Sequence, residues 1–529
     1  MKNKIFIFLV ISGILFSCQK NVTISGTNPY AGGKEALGVA FTGQYPIPQS
    51  ATPGDSVVFQ VKGLLAYKDS FSFFINGQQT QVLDLTDSLI TVKVPDNVSS
   101  GIATIKVEGE IYFGPRLAII NKVSIDKNFA INIGTDGTIN DYRAFSSGFV
   151  LGGSFSNFQN KLDWWSPFNN MVLLDNQWNW NQTFQKNSAA AGPVYSIGQL
   201  SNGQFIVAGN FSSYNGYIGF NNITKVKADL SMDTAIVNVV NTTTDPKGGL
   251  DTVSRFNGGA PQVPILRAFV TANDRIIAVG NFKNYGRANY TESNREGLRL
   301  DYTKISSVMR MMQDGSLDTT YGYVPSVGNS GVDGLINDAA MLPDGRVIIV
   351  GKFNSFNGEA VNNIVRLDTT GKVDQTFDIG SGVNGLINTI RYNVLIDKLV
   401  ITGTFTSVNG QPANGIAVMN GNGELDPTFK LRTIEGGLVN FATALNNGKI
   451  VVSGTFNKYD DITRPGFLIL EKDGTALQEY NNVGTFQGQI QQVYETKSSL
   501  GNPALVLMGY ISKFDDQAVG NIVRVEVLN

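Results

Sequence analysis

The side chains that run most protein chemistry near neutral pH are nearly missing from this sequence. Histidine is absent, and the one cysteine is Cys18. Without imidazole there is no ready proton shuttle, no Ser-His-Asp or Cys-His arrangement and no ordinary zinc site. Carboxylate pairs remain, and these cleave glycosidic bonds when they face each other at roughly 5–10 Å. No spacing singles out such a pair, and no phosphate loop, calcium loop or metal-ligand cluster is present, so neither metal nor cofactor is expected. The other residue types suit recognition. All four tryptophans fall between Trp164 and Trp180. Trp164 and Trp165 sit in a long insertion, where their rings either stack sugars and peptide side chains or pack their own loop. Trp178 and Trp180, on the following hairpin, read as packing. A second set is Arg287, Tyr290, Arg295 and Tyr302, in an insertion that also carries Glu292, Glu296 and Arg299. Arg with Tyr typifies protein contacts, whereas mixed charge also makes a solvated loop.

These candidates need a scaffold, and the chain has length for one. Its 529 residues are 42% apolar, enough for a large core and more than one domain, and a net charge of -2 argues against nucleic acid. At the amino terminus Lys2 and Lys4 precede an apolar run, Ile5 to Phe16, too short to span a bilayer and laid out like a secretory signal. It ends in Leu15-Phe16-Ser17-Cys18, which resembles a bacterial lipobox. That resemblance implies cleavage after residue 17 and a lipid on Cys18, anchoring the protein to a membrane without spanning it. A plain signal peptide with an incidental cysteine is the alternative. Residues 18–36 mix polar residues with Gly and Pro and read as a tether.

From residue 37 to 121, short alternating strands are separated by turn chemistry. Pro53-Gly54-Asp55 opens one strand, Phe73-Phe74-Ile75 meets an Asn76-Gly77 turn, and Ile90 to Val94 stops at Pro95. This spacing predicts an immunoglobulin-like sandwich. The three signals together resemble a TIG/IPT domain.

Residues 122–529 are repetitive. A Gly, an apolar residue two positions on and another three further recur seven times. They are Gly153/Phe155/Phe158, Gly209/Phe211/Tyr214, Gly280/Phe282/Tyr285, Gly351/Phe353/Phe356, Gly403/Phe405/Val408, Gly454/Phe456/Tyr459 and Gly509/Ile511/Phe514. Spacings of 51 to 71 residues fit one four-stranded blade per copy. The glycines are expected to let the strand lie against the adjacent blade, and the apolar residues to fill the core between blades. A closing sequence follows in the clean copies, as in Asp374-Gln375-Thr376-Phe377, Asp426-Pro427-Thr428-Phe429 and Asp318-Thr319-Thr320-Tyr321, with Asn181-Gln182-Thr183-Phe184 in copy one. The seventh copy lacks it, while Asp126-Lys127-Asn128-Phe129 stands ahead of the first. The fold class is therefore all-β, a sandwich followed by a seven-bladed β-propeller that an amino-terminal strand closes.

The repeat resembles the delta-sixty β-propeller repeat. With the lipobox and the TIG-like module, the whole resembles outer-membrane surface lipoproteins of Bacteroidota. This implies cell-surface placement (the periplasmic side is the alternative) and partnership with TonB-dependent importers of the starch-utilisation type. Three long insertions, Gln159 to Asn169, Val237 to Gln262 and Gly286 to Thr303, belong to consecutive copies and should share one propeller face. The functional expectation is a non-enzymatic protein that captures or presents a glycan or peptide, or docks on an importer, through that face. A propeller glycoside hydrolase or lyase and a purely structural protein–protein scaffold are the rivals.

Overall fold

The computed structural model describes residues 36–161, 168–182, 184, 189–218, 221–323 and 329–528. The signal segment, Cys18 and the tether up to residue 35 lie outside them.

Strand Ser56–Lys62 alternates buried and exposed side chains, the period of a half-buried strand. It lies in a sheet ordered Ala40–Phe41, Ser56–Lys62, Leu89–Lys93, Gln81–Leu85. A second sheet, built on Phe71–Ile75, Gly101–Val107 and Glu110–Ile119, packs over it. Phe59 from one sheet and Phe73 from the other meet with ring centroids 5.1 Å apart, inside a core shared by both. Asn76 and Gly77 both take positive φ, the conformation that an Asn-Gly hairpin turn requires.

Seven blade sheets follow, with small hairpin sheets beside them. The innermost strands of the blades are Thr138–Phe145, Val194–Gln199, Ile265–Val270, Leu335–Met341, Ile387–Asn393, Val439–Ala444 and Gln487–Lys497. Each contacts the next, and the last contacts the first, so the sheets form a closed seven-bladed β-propeller. Val123–Ile125 supplies the outermost strand of blade seven, pairing antiparallel with Val525 to Val527. Asp126 continues this pairing through its amide to Arg524 O at 2.9 Å. The sandwich is seated on blades six and seven. Ser99 donates to Thr463 O, and the buried Arg464 donates back to the Ser99 hydroxyl at 2.8 Å. Arg116 bridges Asp515 and Asp516 at 2.7 and 2.8 Å.

Two expectations need correction. The sequence predicts four strands per blade, but in blades one to five the fourth is a single bridging residue: Trp180, Met232, Leu317, Val373 or Leu425. The closing sequence explains why. In blade four the Asp374 carboxylate accepts the Thr376 amide at 2.9 Å and its hydroxyl at 2.6 Å, turning the chain away after one bridge. The repeat glycines, moreover, do not face the neighbouring blade. A Cβ on Gly351, Gly403 or Gly454 would sit 2.0 Å from the carbonyl of Leu335, Leu386 or Leu438, at the start of its own innermost strand or one residue before it. All seven innermost strands carry a register shift at this level, between Ile336 and Asp338 in blade four, and the bulge tips that carbonyl onto the glycine.

Blades are joined by asparagine side chains that sequence reasoning missed. Asn170, Asn222, Asn363 and Asn521 each precede a third strand, in the left-handed region that Asn tolerates. Each accepts an amide from its own blade and donates to a carbonyl of the next. Asn521, for example, takes the Ile511 amide at 3.0 Å and gives to Thr135 O at 2.8 Å, across the seam between blades seven and one.

Candidate functional site

The second and third insertions fold as two hairpins. Thr234–Asn238 pairs with Leu250–Ser254, and Asn284–Ala288 pairs with Leu300–Lys304. Their polar groups are spent on each other. Val240 donates to Ser293 O at 2.8 Å, Asn257 and Ala288 exchange two hydrogen bonds of 2.9 and 2.7 Å, and Asn221 donates to Gly286 O at 3.0 Å. These contacts fix a cleft of about 710 Å³ beside blade three, lined by Arg255, Tyr285, Arg287, Tyr290, Asp301 and Tyr323 among others.

Of the residues singled out in the sequence, Arg287 and Tyr290 both line this cleft. Arg287 lies 3.7 Å from the carboxylate of Asp314, with both side chains about half exposed. Burial pushes the Tyr290 phenol up to about 12, although Arg287 pulls the other way. Burial likewise raises Tyr285 to about 12, and its hydroxyl donates to Gly315 O at 2.8 Å. Both rings stay neutral hydrogen-bonding groups at ordinary pH. Arg255 and Tyr323 were missed, and no local pattern marks them.

The other two members of the set do something else. Arg295 is a brace, its guanidinium donating to Leu250 O at 2.7 Å and Lys247 O at 2.6 Å. Tyr302 stands opposite Gly286 across the hairpin, is 58% exposed, and does not line the cleft. Trp164 and Trp165 lie outside the described residues. Trp178 packs as expected, stacked on Phe149 at 3.9 Å and edge-on to Phe129 at 5.5 Å. Trp180 meets Phe168 edge-on at 5.4 Å.

The propeller channel is the other place where chemistry could occur. It contains Asp141 and Asp338, but fixed donors engage every carboxylate oxygen. Asp338 takes Arg267 Nε at 2.7 Å and the Ala339 amide at 2.9 Å on one oxygen, and Arg391 and the Ile390 amide on the other. Burial pushes its carboxyl up, but Arg267 and Arg391 hold it below the usual range. Asp141 accepts the Tyr142 and Ile197 amides at 2.9 and 2.8 Å and Gln492 Nε2 at 3.0 Å, while burial raises it. Among the described residues no group of His, Cys, Asp and Glu could hold a metal ion.

Two family models match parts of the chain. A domain of unknown function, DUF5008, covers residues 14–115. A domain of unknown function described as a beta-propeller, DUF5122, covers 342–377, 397–429 and 445–476, which fall on blades four, five and six. No curated protein sequence matches the chain. Similar solved structures include the WD40 beta propeller domain of Doa1, at 16% identity over 76% of this chain and 96% of that one, with a TM-score of 0.40. Auxiliary nutrient binding proteins from Bacteroides thetaiotaomicron VPI-5482 and Bacteroides ovatus ATCC 8483 are similar at 9% and 10% identity. Each match covers 92% of this chain, with 84% and 97% of theirs and TM-scores of 0.24 and 0.22.

Proposed function

We propose that the chain is a non-enzymatic binding protein, anchored to the outer membrane by a lipid on Cys18, whose elaborated rim captures a glycan or peptide for a TonB-dependent importer. The observation that carries this reading is the cleft beside blade three. Its walls come from insertions of consecutive blades that hydrogen-bond to each other, so its shape is built by the fold. Tyr290, neutral and half-buried, offers a ring face and a hydroxyl together, and Arg287 beside Asp314 offers donor and acceptor at one point. Hydroxyl-rich sugars and peptide backbones present the matching groups. The hydrolase reading is weaker, because Asp141 and Asp338 are both committed to fixed donors.

The test is a glycan and peptide array probed with the purified protein, together with pull-down from detergent-solubilised outer membrane. Binding without turnover, weakened at least about tenfold by Tyr290→Ala with Arg287→Ala, supports the proposal. Turnover of a bound glycan overturns it, and recovery of importer subunits with no array hit selects the scaffold reading instead. Alkyne-palmitate labelling that Cys18→Ala abolishes tests the anchor.

A further inference from the structure

Blade five lacks an arginine that three other blades carry beneath their closing sequence. In blade four Arg366, on the third strand, lies 1% exposed beneath the closing sequence. Its Nε donates to Asp374 at 2.8 Å, its terminal nitrogens reach Thr376 Oγ1 at 2.8 Å and Gly421 O of the next blade at 2.6 Å, and it lies 4.9 Å over the Phe377 ring. Blade three repeats this with Arg310 on Asp318, Thr320, Thr369 O and Tyr321. Blade seven repeats most of it with Arg524 on Asp126 and Phe129. Blade two has Lys225 near Asp233 at 3.5 Å. Blade one drops both charges together, with Leu173 facing Asn181.

Blade five keeps the acid and loses the base. The Asp426 amide donates to Val418 O at 2.9 Å, the same bond that Asp374 makes to Arg366 O and Asp318 to Arg310 O, so Val418 stands in the arginine's place. A cavity of about 490 Å³ lies there, lined by Val418, Leu425, Asp426, Pro427, Phe429 and Leu431 among others. Among the described residues, blade five alone combines the closing aspartate with an aliphatic residue at this position. One Asp426 oxygen takes the Thr428 amide and hydroxyl, at 2.9 and 2.6 Å; the other takes Lys398 Nζ at 2.7 Å. The matching oxygen of Asp374 holds two guanidinium groups, Arg366 at 2.8 Å and Arg346 at 3.3 Å, and that of Asp318 has Arg310 and Arg275 at 2.8 and 3.8 Å. Asp426 thus has room for a second cation beside Lys398.

We propose that this cavity receives an arginine side chain from a peptide segment of a partner protein, seated as the chain's own arginines are in blades three, four and seven. The aliphatic walls suit the arginine stem. The planar fork suits Asp426 with Thr428, and the Phe429 ring suits the guanidinium face. By register, the carbonyl equivalent to Gly421 O is that of Lys472. Exposed Lys430 stands at the rim, and what selects arginine is the match of its planar fork to Asp426 with Thr428.

The experiment titrates the full chain with acetyl-Gly-Gly-Arg-Gly-Gly-amide and with the neutral citrulline version, read by calorimetry. The arginine peptide should bind saturably, and citrulline at least about tenfold more weakly. Val418→Arg should fill the socket in cis, abolish binding and raise the melting temperature; Asp426→Asn should abolish binding with the fold intact. Equal binding of the two peptides, binding of neither, or undiminished binding by Val418→Arg overturns the proposal, as does a Val418→Arg chain that fails to fold. Methylguanidinium binding as tightly as the peptide would overturn the assignment to a peptide.

Discussion

The clasp that closes the ring can be tested by Asp126→Asn. Asp126 and Arg524 are 6% and 7% exposed, and the carboxylate accepts both Nε and a terminal nitrogen of Arg524 at 2.7 Å, plus the Asn128 amide at 2.9 Å. Asparagine keeps the shape and removes the charge, leaving a buried guanidinium with the Ser499 hydroxyl and the Phe129 ring. Breaking a buried ion pair from one side costs about 3–5 kcal/mol. Two charge-assisted hydrogen bonds at roughly 1.5–3 kcal/mol each give the same range. Adding Arg524→Leu converts the clasp into the neutral pair that blade one already uses, Leu173 with Asn181. The double variant should therefore return to within about 1 kcal/mol of the parent. Guanidinium titration followed by tryptophan fluorescence reads this out, since Trp178 contacts Phe129 directly. A double variant no more stable than Asp126→Asn, or a single variant indistinguishable from the parent, would refute the reasoning.

Gly351→Ala should destabilise by about 2–3 kcal/mol in the same titration, because its Cβ would meet Leu335 O at 2.0 Å, and that bulged backbone moves only at the cost of the blade's register. Acid should loosen blade four over a defined window. Burial pushes the Asp374 carboxyl up, but the Thr376 hydroxyl and amide and the Arg366 guanidinium outweigh it and hold it at about 2, against 3.8 unfolded. A depressed carboxylate contributes stability above the unfolded value and loses it as the pH falls, so this contribution should fade between about pH 4 and pH 2. Arg366→Leu with Asp374→Asn should flatten that part of the stability-versus-pH curve.

Much of the scaffold could be read from the residues because its repeating parts keep fixed offsets. Gly351, Phe353 and Phe356 recur with the same spacing in every copy, and the closing sequence ends the clean copies and also stands ahead of blade one. The arginine beneath it escaped notice although Arg310 and Arg366 each stand eight residues before their aspartates, because Val418 and Leu173 break the column. The asparagine joints escaped for another reason. Asn363 and Asn521 stand 12 residues after their repeat glycines, but Asn222 stands 13 and Asn170 17 after theirs, and glycine fills the same offset at Gly415 and Gly466, so the column is broken. The cleft was half legible. Arg287 and Tyr290 were named, yet Arg295 proved to be spent on the Lys247 and Leu250 carbonyls, and backbone acceptors carry no trace in a sequence.

The strand Val123–Ile125 and its partner Ile522–Val527 also set a timetable. A chain leaving the ribosome exposes the first of these early and must wait for nearly the whole remainder before the other arrives, Asp126 and Arg524 being 398 positions apart. Throughout that interval the unfinished wheel offers a bare flank at each end, which invites pairing with other copies. Synthesis halted just after blade six would leave the first six blades without their closing partner and produce material prone to clump. The late pairing also makes final assembly slow relative to the folding of any single blade.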